Sequence, residues 1–419
     1  MSSIHQINIK LKEQITSFSG ELSKSMKKVK KRIVRELIYG ILASGSVHLT
    51  KISRVLEEEI SLHKTHDRLC RNLGKYDLEK IIAQEILKKG AKQVKEESLI
   101  IIDPTEIIKP YAKKMEYLAP VRDGSKDVIG QGYWMCQAIA TNIDGSNIIP
   151  LTSVLSSSKD PQHYGENNII LSMVEKIYLE TGYNGTIVFD RGADRKLLLE
   201  KWAVRPLFNF IIRQVGNRNI RYKKKVMLVD DLAKKVKKRY RETLTKVVDG
   251  KLKTKDVDFG FCPVKLPGCE RELFLVVVEG FGKKPMMLLT TRKLTWSRKK
   301  LWNIVQSYIT RWKIEETIRF VKQSYQLEDI RLLTYKRIKA MISFVLAATY
   351  FVCCHIGMKE RLKVLASHAL KAAKRLFGIP DFNFYCLADG LKAIFARVGS
   401  GIVSQKENAP PDSNQLSLF

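Results

Sequence analysis

Apolar residues recur at helical spacing from Ile33 to Leu42 and again from Leu49 to Glu58, with Ser44-Gly45-Ser46 between them. That period predicts helices, and residues 1–97 read as helical throughout. A short break near Ser61 leads to a basic segment over residues 63–73 that carries Lys64, His66, Arg68 and Arg71. Two short helices joined by a tight break, the second one basic, fit a helix-turn-helix-like DNA reader. An ordinary three-helix packing unit fits the same pattern. A basic linker helix is expected over residues 78–94.

The pattern then changes. Residues 98–103, Ser-Leu-Ile-Ile-Ile-Asp, form a short apolar run that ends in an acid and is followed by Pro104. It reads as a buried strand delivering Asp103 at its C-terminal end. Two strands over residues 133–142 and 147–154 are joined by Asp144-Gly145, a strong hairpin signal. A helix over residues 166–180 follows. Residues 186–190, Thr-Ile-Val-Phe-Asp, repeat the motif of an apolar strand ending in an acid, and residues 191–194 are expected to open the next helix. A further strand spans residues 207–214. From Arg213 to Lys255 the chain carries sixteen Lys or Arg against four acids. Strand-like stretches at 257–264, 273–279 and 286–291 complete a basic, mainly β insertion over residues 213–290. Helical period resumes at Ser297. The polar residues from Ser404 onward predict a disordered tail.

Composition sharpens this outline. With 419 residues, 45% of them apolar, there is room for two or three folded domains. Lys and Arg outnumber Asp and Glu by 74 to 43, a formal net charge of +31 spread along the chain. An excess of that size points to a polyanionic partner, DNA or RNA, over a generic soluble surface. The seven cysteines form no C-x-x-C pair, and they read as free thiols of a reducing cytosol rather than a zinc site. The N-terminus has no signal-peptide core. The apolar run over residues 341–358 carries His355 and follows Lys336, Arg337 and Lys339, so it reads as a buried helix and not a membrane span.

Within this basic chain, Tyr308, Arg311, Glu315 and Lys322 lie within roughly 60° of one another when placed at about 100° per residue on one helix. A carboxylate among cations suggests phosphate chemistry. Phosphodiester cleavage by paired divalent ions needs hard oxygen ligands from separate elements. Asp103, Asp190 and Glu315 meet that need in kind and in order. Each also has a plainer reading: the two aspartates as turn formers or caps, and Glu315 as an i,i+4 partner of Arg311 on a solvated face. Glu106 and Glu316 are near competitors.

The spacing Tyr308-x2-Arg311-x3-Glu315-x6-Lys322 resembles the Tyr-Arg-Glu-Lys signature of a large group of bacterial insertion-sequence DDE transposases. Ile102-Asp103-Pro104-Thr105 resembles the group's first-aspartate segment and Phe189-Asp190-Arg191-Gly192 its second. Gly130-Gln131-Gly132-Tyr133-Trp134 falls where such proteins have the strand after the first aspartate.

The resemblance covers residues 30–350 and implies an α/β fold. Its RNase H-like mixed-sheet catalytic core would run over 98–212 and 291–360, interrupted by the β insertion. An all-α DNA-binding domain over residues 1–97 would precede it, and a helical region and tail over 361–419 would follow. The resemblance assigns Asp103, Asp190 and Glu315 as catalytic metal ligands for two Mg2+ ions, which Mn2+ can replace. It places Tyr308, Arg311 and Lys322 on DNA phosphates, with Arg191 beside them. Trp296, at the end of the insertion, is the first candidate to stack on a displaced base, although core packing suits it and Trp302 as well.

The implied partners are double-stranded DNA, as terminal inverted repeats and as target, and a second copy of the chain on that DNA. No membrane is involved, and the implied setting is the bacterial cytoplasm at the nucleoid. The alternatives are an RNase H-like nuclease that cuts without joining, and a domesticated, non-catalytic DNA-binding protein.

Overall fold

Residues 4–124, 127–248, 251–376, 383–399 and 401–402 are described by the structure, a computed structural model. The tail expected from Ser404 lies outside them. The first five helices are α1 (Ile4–Leu22), α2 (Lys28–Ser44), α3 (Leu49–Leu56), α4 (Leu62–Lys75) and α5 (Leu78–Ala91). Their boundaries follow the apolar period closely, because the punctuation is chemical. Gly45 closes α2 in the left-handed region at φ 60°, donating its N–H to the Ile41 carbonyl. Ser61 caps α4 by accepting from the Lys64 N–H. Gly40 lets α2 and α3 cross closely, since a Cβ there would lie 2.4 Å from Ile52 Cγ2.

After α5 come β1 (Leu99–Ile108), β2 (Ala119–Asp123), β3 (Val128–Thr141), β4 (Ile149–Ser156), α6 (Glu166–Glu180), β5 (Thr186–Phe189), α7 (Lys196–Ala203) and β6 (Phe210–Arg213). The insertion supplies β7 (Asn219–Tyr222), β8 (Lys225–Leu228), α8 (Val229–Lys235), β9 (Tyr240–Val248), β10 (Lys251–Val264), β11 (Leu273–Glu279) and β12 (Met286–Thr290). The chain returns to helix with α9 (Arg298–Thr310), α10 (Trp312–Ser324), α11 (Tyr335–Tyr350), α12 (Met358–Leu376) and α13 (Phe384–Val398).

Several expectations are corrected. β1 runs five residues past Asp103, so that aspartate sits within a strand and not at its end. The helix after Asp190 begins only at Lys196, behind a 3-10 turn over Arg191–Ala193. The supposed single helix from Tyr308 to Lys322 is two, because the backbone N–H of Arg311 bonds to the Tyr308 carbonyl and tightens one turn between α9 and α10. Strands β2, β7, β8 and β9 were not foreseen.

The described residues form two compact units whose boundaries cut across the linear segments. One consists of Leu87–Glu106 and Trp134–Ile318. Its sheet runs β4-β3-β1-β5-β6-β12-β11-β10-β9. β1, β5 and β6 are parallel, and the insertion strands join antiparallel from β12 outward. The order β4-β3-β1-β5-β6, with an antiparallel β3–β4 hairpin beside three parallel strands, is the RNase H-like mixed core. The insertion therefore extends the core sheet, while β7 and β8 form a separate two-stranded ribbon. The centre of the sheet is dry: Ile100, Ile101, Val188, Ile212, Leu275 and Leu289 are all fully buried.

The other unit consists of Met1–Ile86, Ile107–Tyr133 and Arg319–Phe419. Here the C-terminal helices complete the N-terminal bundle. Phe18 of α1 meets Tyr350, Phe351 and His355, and Tyr39 of α2 packs edge-on against Phe395 of α13. The apolar helix Tyr335–His355 is long enough to cross a membrane by composition, but 83% of its apolar window is buried within the protein. This agrees with its reading as a core helix. In the same unit β2 pairs with the outer half of β3, where Gly132 admits the close approach of the Ile107 carbonyl.

Candidate active site

The parallel strands set the site. In the β1–β5 pair Leu99 lies opposite Thr186 and Ile101 opposite Val188. Continuing that register two residues brings Asp103 level with Asp190. In the β5–β6 pair Phe189 lies opposite Ile212, so one further step brings Asp190 level with Arg213. Three neighbouring strands thus present Asp, Asp and Arg at one level. The apolar residues before them fix the register by filling the core.

The third carboxylate comes from the helical side. Helix α9 packs on β5, β6 and β11, and its last residue, Thr310, donates its hydroxyl to the Ile143 carbonyl in the β3–β4 turn at 2.6 Å. This anchors the junction where Arg311 sits. Glu315 lies in the first turn of α10, where the helix dipole favours an anion. Arg311 reaches both acids: Nη1 is 3.6 Å from Asp103 Oδ1 and Nη2 is 2.5 Å from Glu315 Oε1. The Arg311 side chain is only 11% exposed. Its Nε is buried without a hydrogen-bond partner among the described residues. Tyr308 is buried, and two guanidinium groups lie near its ring, Arg311 at 5.8 Å and Arg213 at 5.9 Å from the centroid.

Electrostatics tie the acids together. Burial, opposed by Arg311 and reinforced by the charges of Asp190, Glu315 and Glu106, pushes the Asp103 carboxyl up to about 7. The carboxylates are therefore close enough to repel one another in a poorly solvated place. Such a set of hard oxygen donors on separate elements is of the kind that holds a divalent cation. As the side chains stand, no three His, Cys, Asp or Glu groups among the described residues are gathered tightly enough to hold a metal ion. The cation among the acids is Arg311.

The plainer readings of the acids are partly realised too. Asp190 Oδ1 accepts the Gly192 N–H at 2.7 Å, capping the 3-10 turn, and Glu315 is an i,i+4 partner of Arg311. Glu316 has no such ion pair with Arg311, and Glu106 acts on Asp103 only through charge.

The other singled-out residues are spread more widely. Arg191 is exposed at the start of the turn after Asp190. Lys322, further along α10, forms an ion pair with Glu328 at 2.8 Å. Trp296 is 45% exposed, with the Arg239 guanidinium 4.0 Å above its ring and Phe261 4.5 Å away. Trp302 packs on Phe259. On α4, Arg68 is turned inward, 2.7 Å from Glu36 and 2.8 Å from Glu58. It therefore leaves the basic face, on which Lys64, Arg71 and Lys75 remain exposed. Arg213 was missed as a site residue. Its signal was present, since Phe-Ile-Ile-Arg is a third apolar strand ending in a charge.

The family described as "Transposase DDE domain" matches residues 95–351. No curated protein sequence matches the chain. Among solved structures, a piggyBac transposase synaptic complex with hairpin DNA aligns over 99% of this chain and 83% of its own, at 10% identity and a TM-score of 0.47. The NurA nuclease from Sulfolobus solfataricus aligns over 76% of this chain and 100% of its own, at 11% identity and a TM-score of 0.26. At those scores neither structural likeness bears on the site.

Proposed function

Since the chain belongs to the transposase DDE domain family, we propose that it is an insertion-sequence transposase of the Tyr-Arg-Glu-Lys group that moves its element by cut and paste. The observation that carries this reading is that Asp190 and Glu315 lie near enough for their charges to raise the largely buried Asp103 carboxyl, with Arg311 paired to both Asp103 and Glu315.

In this reading Asp103, Asp190 and Glu315 hold two divalent ions, Mg2+ or in its place Mn2+. Such ions, when bound, supply an activated oxygen and charge neutralisation at phosphorus. The chain's own groups do the rest. Tyr308, Arg311 and Lys322 grip the phosphates beside the scissile bond: Arg forks onto two oxygens, Lys acts as a point charge, and Tyr donates one hydrogen bond. Arg191 adds a cation next to Asp190. Water cuts each element end and leaves a 3′-hydroxyl, which then attacks target DNA at the same site. Trp296, exposed and backed by Arg239, offers a stacking face to a displaced base. The exposed side of α4, with Lys64, Arg71 and Lys75, reads the terminal inverted repeats. Two ends held together require two copies of the chain, working at the bacterial nucleoid.

The test is purified protein with a labelled inverted-repeat end, target DNA and Mg2+ or Mn2+. Strand-transfer product is expected. Cleavage without joining would assign a nuclease instead, and a gel shift without cutting would assign a DNA-binding protein.

A further inference from the structure

We propose that Arg311 is the built-in counter-ion of the carboxylate site, a cation that an incoming metal must displace and that is thereby released to DNA phosphate. This rests on the reading of Asp103, Asp190 and Glu315 as metal ligands. Four observations carry it. One guanidinium touches the carboxylates of both Asp103 and Glu315, so it lies where a shared cation would lie. Arg311 sits at the turn between α9 and α10 and not within a regular helix. Its Nε is buried with no hydrogen-bond partner among the described residues, so one of its five donors is unused in the present pairing. Near the same Tyr308 ring, Arg213 supplies a second positive charge.

A guanidinium and a divalent ion cannot both lie between the same two carboxylates, because like charges repel strongly in a poorly solvated site. Metal binding therefore has to drive Arg311 off, and Arg311 then has its five donors free for a phosphate. The linkage is reciprocal. DNA that draws Arg311 away tightens metal binding, so metal and transposon end promote each other's binding.

The experiment measures Mn2+ affinity of the chelator-treated protein from the spectroscopic signal of free Mn2+, with and without end DNA. Arg311→Gln should bind Mn2+ about tenfold more tightly than the wild type in the absence of DNA. Arg311→Lys, which keeps a charge but cannot fork onto two acids, should show a smaller gain. End DNA should tighten Mn2+ binding by the wild type and add little in Arg311→Gln. Equal or weaker Mn2+ binding by both variants overturns the proposal, and if the Gln variant does not fold, the Lys variant decides. Asp103→Asn and Glu315→Gln separate the two levels. If neither changes Mn2+ binding by the wild-type background, the ligand assignment fails and the proposal falls with it. If both abolish binding while the Arg311 variants match the wild type, only the counter-ion role fails.

Discussion

Glu315 and Glu316 are separated by about 100° around α10, and that angle decides which of them shares Arg311 with Asp103. Of the two, it is Glu315 that pairs with Arg311. Glu315→Gln should lower cleavage of a labelled end by at least about a thousandfold, the scale of losing a group that acts only in the transition state. Binding of the end in a gel shift should persist. Glu316→Gln should cut at near the wild-type rate, and the reverse pattern would move the third carboxylate one residue along the helix. Asp103 and Asp190 stood out in the sequence as candidates because each follows an uninterrupted apolar run. Their pairing was not legible, since it is a property of the β1–β5 register. Arg213 escaped for a related reason: its charge merged with the basic stretch that follows, and only the β5–β6 register separates it.

At the scale of elements, α4 shows how a basic helix divides its charges between core and surface. Arg68 joins Arg32, Glu36 and Glu58 in a network around the fully buried Glu36. Arg68→Ala should therefore lower unfolding stability by roughly 1–3 kcal/mol, because it takes one of two guanidinium partners from Glu36 and Glu58 while Arg32 remains. Arg71→Ala should stay within about 0.5 kcal/mol in the same urea titration while weakening DNA binding. The network also sets a pH dependence. Burial alone would raise the Glu58 carboxyl, but hydrogen bonds from Arg68 and Thr65 and the nearby positive charges outweigh it, so its folded value is lowered. A depressed folded value means the contribution is complete above the unfolded Glu value, about 4.3, and is lost as pH falls through the folded one. Acid unfolding of the wild type should thus be steeper than that of Glu58→Gln, and parallel profiles would exclude the network as a contributor. Helices α2 to α4 were legible from their apolar period, with Gly45 and Ser61 marking the end of α2 and the start of α4. Strands β7, β8 and β9 were hidden by the basic residues in and around them, which read as a solvated run, and the α9–α10 break lacks the Gly or Pro that would have announced it.

For the whole molecule, the net charge of +31 determines how DNA binding responds to salt. Each phosphate neutralised by Lys or Arg releases a counter-ion, so log affinity falls against log salt with a slope of about 0.9 per contact. Two groups of lysines differ in what that contact costs. Lys223, Lys224 and Lys225 are exposed at the tip of the β7–β8 ribbon, where they can meet a duplex at the cost of no more than the Lys223 contact with the Tyr222 ring. Lys322 is held by Glu328 and must exchange that partner for a phosphate. Replacing all three ribbon lysines by Ala should reduce the slope by up to about 2.7 and weaken binding to any duplex alike, since phosphate contacts carry no sequence information. Lys322→Ala should reduce the slope by about 0.9 and should act on cleaved ends more than on random duplex, because it lies on the helix that carries Glu315. Binding measured over a salt series on end and random DNA separates the two. An unchanged slope for Lys322→Ala means that it stays with Glu328 in the complex, and the proposed phosphate grip beside Glu315 then falls to Arg311 and Tyr308.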